Sequence, residues 1–323
     1  MLRFGLCCQF LDAPIRFRTA THRYVSTLTP TRRREYLTAI ARENAAALAA
    51  AVEQCATLGI GAFRINSQIL PLGTHPASGY SLEALDERGD IRAAFDLAGS
   101  LARARDVRLS FHPDQFVVVN SARAEVVRAS VEELEFQALV AELVGADTLV
   151  FHGGSAADGV PASLERLERG LDLLSERARS RAALENDDHR FAPADLLPLS
   201  RRTGVPLVYD AHHHRCHGDG LSVEDATEMA AATWSGREPW THISSPRDGW
   251  SAKNPRPHAD YIDPRDFPAS WLGRRLTVDV EAKAKERAVV ALMQELRKHG
   301  LQPKSPPPAH RSAAARRDRR SAR

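Results

Sequence analysis

"EVVRASVEELEFQALVAELVGADTLVFHGG" (residues 125–154) holds one full structural cycle. A long helix-like run closes on Gly145, and a short apolar run rich in β-branched residues then spans 148–152 and ends on His152. Continuous apolar runs of this length read as strands buried on both faces, and the long connecting runs read as helices. The same cycle recurs along the chain. Candidate strands lie at 3–7, 62–66, 108–112, 148–152, 182–185, 206–210, 240–244 and 276–281. Helix-like segments separate most of them. The longest, residues 29–59, has Thr29 as cap, Pro30 in the first turn and Gly59 as the stop. Parallel strands need crossovers of this length, so eight of them close naturally into a (β/α)8 TIM barrel. A doubly wound sheet would carry a glycine-rich phosphate loop after strand one. "GLCCQF" (residues 5–10) is not such a loop.

The chain has 323 residues, 43% of them hydrophobic, which suffices for one large core or two ordinary ones. No second domain is visible, so residues 1–301 are read as one domain. No apolar run reaches the roughly 18 residues of a membrane span, and the first residues do not read as a signal peptide. The cysteines are Cys7, Cys8, Cys55 and Cys216, with no CxxC, which fits a reduced cytoplasmic protein. Residues 302–323 differ in character, with seven Lys or Arg against one Asp, hence +6. The whole chain is +3, so the body carries 3 − 6 = −3. A Pro/Arg-rich segment of this kind is expected to be a disordered basic tail. It is either a solubilising end or a tether for polyanions.

The strand ends carry the chemistry. Strands three to six end on His112, His152, Glu185 and Asp210. Strand seven carries His242, strand eight ends on Glu281, and His75 follows strand two after a short loop. In a barrel the C-terminal strand ends face one mouth. Converging carboxylates and imidazoles there are costly unless paired or bound to metal. Mixed His and carboxylate ligands suit Zn2+ or Mn2+, and shared carboxylates suit a cluster. Such clusters serve phosphodiester hydrolysis, and metal-dependent sugar isomerases also use carboxylate barrels. The pattern alone leaves both classes open.

Seven stretches go further: "AFRINSQILPLGTHP" (62–76), "RLSFHPDQFVVVNS" (108–121), "LVFHGG" (149–154), "ALENDD" (183–188), "PLVYDAHHH" (206–214), "THISSP" (241–246) and "VEAKAKE" (280–286). In this order they resemble the UV damage endonuclease family, TIM barrels related to the zinc apurinic endonucleases. The resemblance implies nicking of double-stranded DNA immediately 5′ to UV photoproducts, pyrimidine dimers and 6-4 photoproducts alike, leaving a 3′-hydroxyl. It implies two or three divalent ions, Mn2+ first, with Zn2+ or Mg2+ as alternatives, and attack by a metal-bound hydroxide. The ligands it implies are His75, His112, His152, Glu185, Asp210, His213, His242, His258 and Glu281, with Glu185 bridging. Gln115 and Phe116 would probe the lesion. Apart from the resemblance, Lys283 and Lys285 at the barrel rim either contact phosphate or simply begin a solvated helix. Leu6 stands where some relatives have a tyrosine that assists probing, and an aliphatic wedge there is the expectation. Trp240 stands where some relatives have a lysine near the metals. The alternatives are an apurinic-site endonuclease, a sugar isomerase or epimerase, and a non-catalytic scaffold that holds DNA by its basic tail. No membrane and no obligatory protein partner are expected.

Overall fold

In the computed structural model, which describes residues 2–298 and 300, the eight expected strands form a closed parallel barrel in the order β1 to β8. β1 (Leu2–Cys7) is followed by α1 (His22–Val25) and α2 (Pro30–Leu58). β2 (Ala62–Ile65) leads to α3 (Leu82–Leu85) and α4 (Asp90–Ala104), and β3 (Arg108–Phe111) to α5 (Ala124–Val144). β4 (Thr148–His152) precedes α6 (Val160–Leu171) and α7 (Glu176–Arg179); β5 (Ala182–Glu185) precedes α8 (Pro193–Thr203). β6 (Leu207–Asp210) runs into α9 (Ala211–Cys216) and α10 (Val223–Ala232). β7 (Trp240–Ile243), β8 (Leu276–Val280) and α11 (Glu286–Lys298) complete the order. β8 pairs with β1 from Leu2↔Leu276 to Leu6↔Val280, which closes the ring.

The caps work as the sequence implies. The Thr29 hydroxyl accepts from the Arg32 N–H, and Gly59 ends α2 at φ 73°. Gly145 does the same for α5 at φ 70°. Only glycine adopts this left-handed backbone at no steric cost. One connection departs from the cycle. Residues 244–275, between β7 and β8, contain no α-helix, only 3-10 turns at Pro264–Asp266 and Ala269–Trp271. A long irregular loop on a barrel mouth is where function concentrates.

Alternation along each strand divides the core in two. Phe63 and Ile65 face the helices and join the large outer core, whereas Ala62 faces inward. Ala62, Val150, Ala183, Val208, Trp234 and Trp240 form a separate inner cluster that plugs the barrel. The same alternation corrects one expectation. Leu6 lies inside β1, is 0% exposed and packs in the outer core. Gly5 is the inward neighbour, so Leu6 points toward the helices and cannot serve as a DNA wedge. The expected tail at 302–323 lies outside the described residues. Among the described residues, no helix is long and apolar enough to cross a membrane.

A side chain at Gly5 has no room. Its Cβ would lie 2.1 Å from Asp279 Oδ1, inside the barrel. Gly5→Ala should therefore cost about 1–3 kcal/mol by overpacking, read as a lower midpoint in chemical denaturation. An unchanged midpoint would mean that Asp279 does not occupy the barrel axis beside β1.

Candidate metal centre

The mouth gathers its ligands around one carboxylate. Glu185 ends β5 and is 1% exposed. Its Oε2 lies 2.8 Å from His112 Nε2, and its Oε1 lies 2.9 Å from His242 Nδ1 and 3.4 Å from His213 Nδ1. Three groups with metal-ligand spacing share it: His112, His152 and Glu185; Glu185, Asp210 and His213; Glu185, His242 and Glu281. These are seven of the nine expected ligands. They come from the ends of β3 to β8, as convergence at a barrel mouth requires.

Local structure orients each one. Asp210 caps α9, its Oδ1 accepting from the His213 N–H at 2.7 Å. That turn puts His213, three residues on, back over the same carboxylate. The Asn186 side chain ties β5 to β6, accepting from the Asp210 N–H and donating to the Asp210 carbonyl, both at 2.9 Å. His214 turns away, bonded to the Tyr209 hydroxyl and to Asp219, each at 2.8 Å. His212 is buried with its Nε2 3.2 Å from the Arg256 carbonyl, yet its ring stays 5.1 Å from that of His258.

His75 and His258 stand apart from the three groups. His258 lies on the β7–β8 loop, its Nδ1 3.7 Å from Glu281 Oε2. His75 stacks on His22 with ring centroids 4.4 Å apart. Gln115 and Phe116 lie on the loop after β3, and Phe116 is 77% exposed rather than packed in the core. Beside it an open cleft is lined by Gln68, Pro76, Val117, Arg123 and Val126. Lys283 is exposed, and Lys285 is half-buried with left-handed backbone at φ 51°. Trp240 sits in the inner plug, its Nε1 3.2 Å from Asp147 Oδ1 and its ring under the Arg108 guanidinium. It takes no part in the ligand groups.

The sequence reading missed Arg64 and Asp279. Arg64 is 8% exposed and projects into the barrel from β2. It donates to Asp279 Oδ2 at 3.0 Å and to Glu281 Oε1 at 2.6 Å, and its Nη2 lies 3.1 Å from His242 Nε2. Burial opposes its charge, but the carboxylates of Glu281 and Asp279 around it keep it firmly protonated. The available signal was an arginine in the middle of an otherwise apolar strand, "AFRI".

The electrostatics separate the imidazoles. Burial holds His152 below the usual histidine range, in the neutral form that binds metal. Burial also works against charge on His213 and His242. For His213 the carboxylates of Asp210 and Glu185 outweigh it, for His242 chiefly Glu185, and both are raised. Burial likewise opposes the Glu185 charge, yet His242 and His152 hold it well below the carboxylate range.

These residues fit divalent metal. Both His112 nitrogens face acceptors, Nδ1 at the Pro113 carbonyl (3.0 Å) and Nε2 at Glu185. A neutral imidazole has one N–H, so a second proton or a cation must sit between Nε2 and the carboxylate. Asp210 Oδ2 and His152 Nδ1 are buried with no hydrogen-bond partner. Such orphans are costly unless something binds them.

Fold and site together define the class: a TIM barrel whose mouth gathers His and carboxylate groups at metal-ligand spacing. The model for the UV-endonuclease UvdE family matches residues 2–305. A UV DNA damage endonuclease of Deinococcus radiodurans is 33% identical over 90% of this chain and 94% of its own length. The crystal structure of SacUVDE superposes with a TM-score of 0.83 at 26% identity, over 94% of this chain and 100% of that one. Endonuclease IV from Thermus thermophilus shares the fold, with a TM-score of 0.59 at 17% identity over 92% of this chain and 99% of that one. The chain belongs to the UV-endonuclease UvdE family, which places it among the nucleases.

Metal bound at this site would displace protons from His213 and His242, whose pKa values are raised. In the metal-free protein those protons stabilise the fold fully below about pH 6.5. That contribution fades as pH rises through the raised folded values. Calorimetry in buffers of different ionisation enthalpy should show proton release on metal binding, and apparent affinity should rise with pH over the same range. His213→Ala should lose metal, read by elemental analysis. His217→Ala should not, since His217 closes α9 through its backbone N–H. Equal losses at both positions would break the assignment.

Proposed function

We propose that the chain is a metal-dependent DNA repair endonuclease that cuts the backbone immediately 5′ to UV photoproducts, leaving a 3′-hydroxyl. The observation that carries the reading is a shared-carboxylate centre and an exposed aromatic wedge at one mouth. Family membership supports the same reading. The ions are two or three, with Mn2+ first. Ions held by these residues would lower the pKa of the attacking water and steady the charge on the attacking and leaving oxygens of a phosphodiester.

The chain's own residues do the rest. Glu185 is the shared ligand, and Arg64 fixes the orientation of Glu281 while leaving its Oε2 facing His258. His258, beside Glu281, flanks the centre and with His75 would extend the ligand set. Lys283 and Lys285, on the turn after β8, are placed to neutralise flanking phosphates. Gln115 and Phe116 enter the duplex where a poorly stacked photoproduct is cheapest to displace. The cleft beside Phe116 leaves room for displaced bases. A sugar isomerase has no use for such a wedge.

The test is nicking of an irradiated duplex against an unirradiated one with Mn2+ present. Cleavage one bond 5′ to the photoproduct is expected, and Phe116→Ala should lower the damaged-to-undamaged ratio about tenfold or more. No cleavage with any of several divalent metals would sink the reading. Preference for apurinic sites over photoproducts would reassign the substrate.

A further inference from the structure

The β7–β8 loop carries a feature the metal centre does not use. Trp250 is 37% exposed, while Trp234, Trp240 and Trp271 are buried. Its position is fixed. Nε1 donates to Asp266 Oδ1 at 2.8 Å, and Asp266 also accepts from the Ser245 hydroxyl. The Arg215 guanidinium lies 5.6 Å over the ring and donates to the Asp266 carbonyl at 2.9 Å. The His212 ring lies 5.1 Å from Trp250 and 5.1 Å from His258. The indole is thus anchored against the edge of the metal centre and remains partly open to solvent.

Its surroundings are cationic. Residues 246–258, "PRDGWSAKNPRPH", hold Arg247, Lys253 and Arg256 against Asp248, a net of 3 − 1 = +2. Arg247 pairs with exposed Asp248 and Arg256 with half-buried Asp188, and both guanidiniums are themselves exposed to an incoming phosphate. Lys253 and Lys283 are exposed beside them. In a closed eight-stranded barrel β7 stands opposite β3. Trp250 and Phe116 therefore belong to loops that leave opposite strands of the barrel.

We propose that Trp250, with Arg215, Lys253 and Arg256, is a stacking platform for an unpaired nucleobase of the bound DNA. It holds a base on one side of the centre while Phe116 enters the duplex on the other. Stacking suits this place because every base has a π-face, so a rigid indole takes any sequence. The neighbouring cations hold the backbone on either side. This rests on the reading of the mouth as a DNA site.

Trp250 reports its own occupancy, since the other three indoles are shielded. The purified protein, with metals as isolated, is titrated with labelled oligo-dT and with a lesion-free duplex carrying two unpaired nucleotides. Label anisotropy reads binding, and tryptophan emission reads stacking. Emission should fall as DNA binds. Trp250→Phe should bind with no such fall, and Trp250→Leu, checked for folding by circular dichroism, should bind about tenfold more weakly. Binding with unchanged emission in the wild type, or equal quenching in Trp250→Phe, overturns the platform. If irradiated DNA is still nicked in that case, the proposed function stands without it. No binding to any DNA, with no nicking, overturns both.

Discussion

Glu185 is a carboxylate shut off from solvent and ringed by imidazoles, and the mouth is organised around the cost of putting it there. Removing a charge from water is expensive unless partners repay it. Asp210, Asp279 and Glu281 surround the same space, and Arg64 is the one guanidinium described among them. Protons on His213 and His242 offset part of the excess. The remainder is a standing demand for cations. His112 Nε2 facing Glu185 Oε2, and the orphaned Asp210 Oδ2, show where the demand is greatest. Metal binding is the response this donor set is built for.

The barrel supplies the rigidity. Beneath the ligands lies a plug of alanine, valine and tryptophan. Ligands anchored on strand ends keep their geometry, whereas substrate-facing groups sit on connections that can adjust. Phe116 and Trp250, the two rings proposed to meet DNA, both sit on such connections. Each belongs to a loop that leaves a large aromatic ring in water, although this chain has a core able to bury one. Trp250 is locked at one edge by Asp266, and Phe116 stands free on its loop.

Much of this was legible in the sequence, because strand ends are the most informative positions in a barrel. His112, His152, Glu185, Asp210, His242 and Glu281 were marked by their places at the ends of apolar runs. His213 followed from the family resemblance, and its link to Asp210 is the helix-cap geometry of α9. What was not legible depended on the phase of alternation within a strand. Arg64 and Asp279 lie mid-strand, and only the register shows that they meet inside the barrel. Leu6 failed as a wedge for the same reason, since Gly5 rather than Leu6 faces inward. The helix-free path of residues 244–275, which sets Trp250 and His258 on the rim, left no periodic signal to read.

The most direct test compares metal content and thermal midpoint in the wild type and in Glu185→Gln, with and without added Mn2+. The shared-carboxylate account predicts two or more ions per wild-type chain and a higher midpoint on Mn2+ addition, with both lost together in the variant. A wild type that binds at most one ion, or a variant that keeps its full complement, would contradict it.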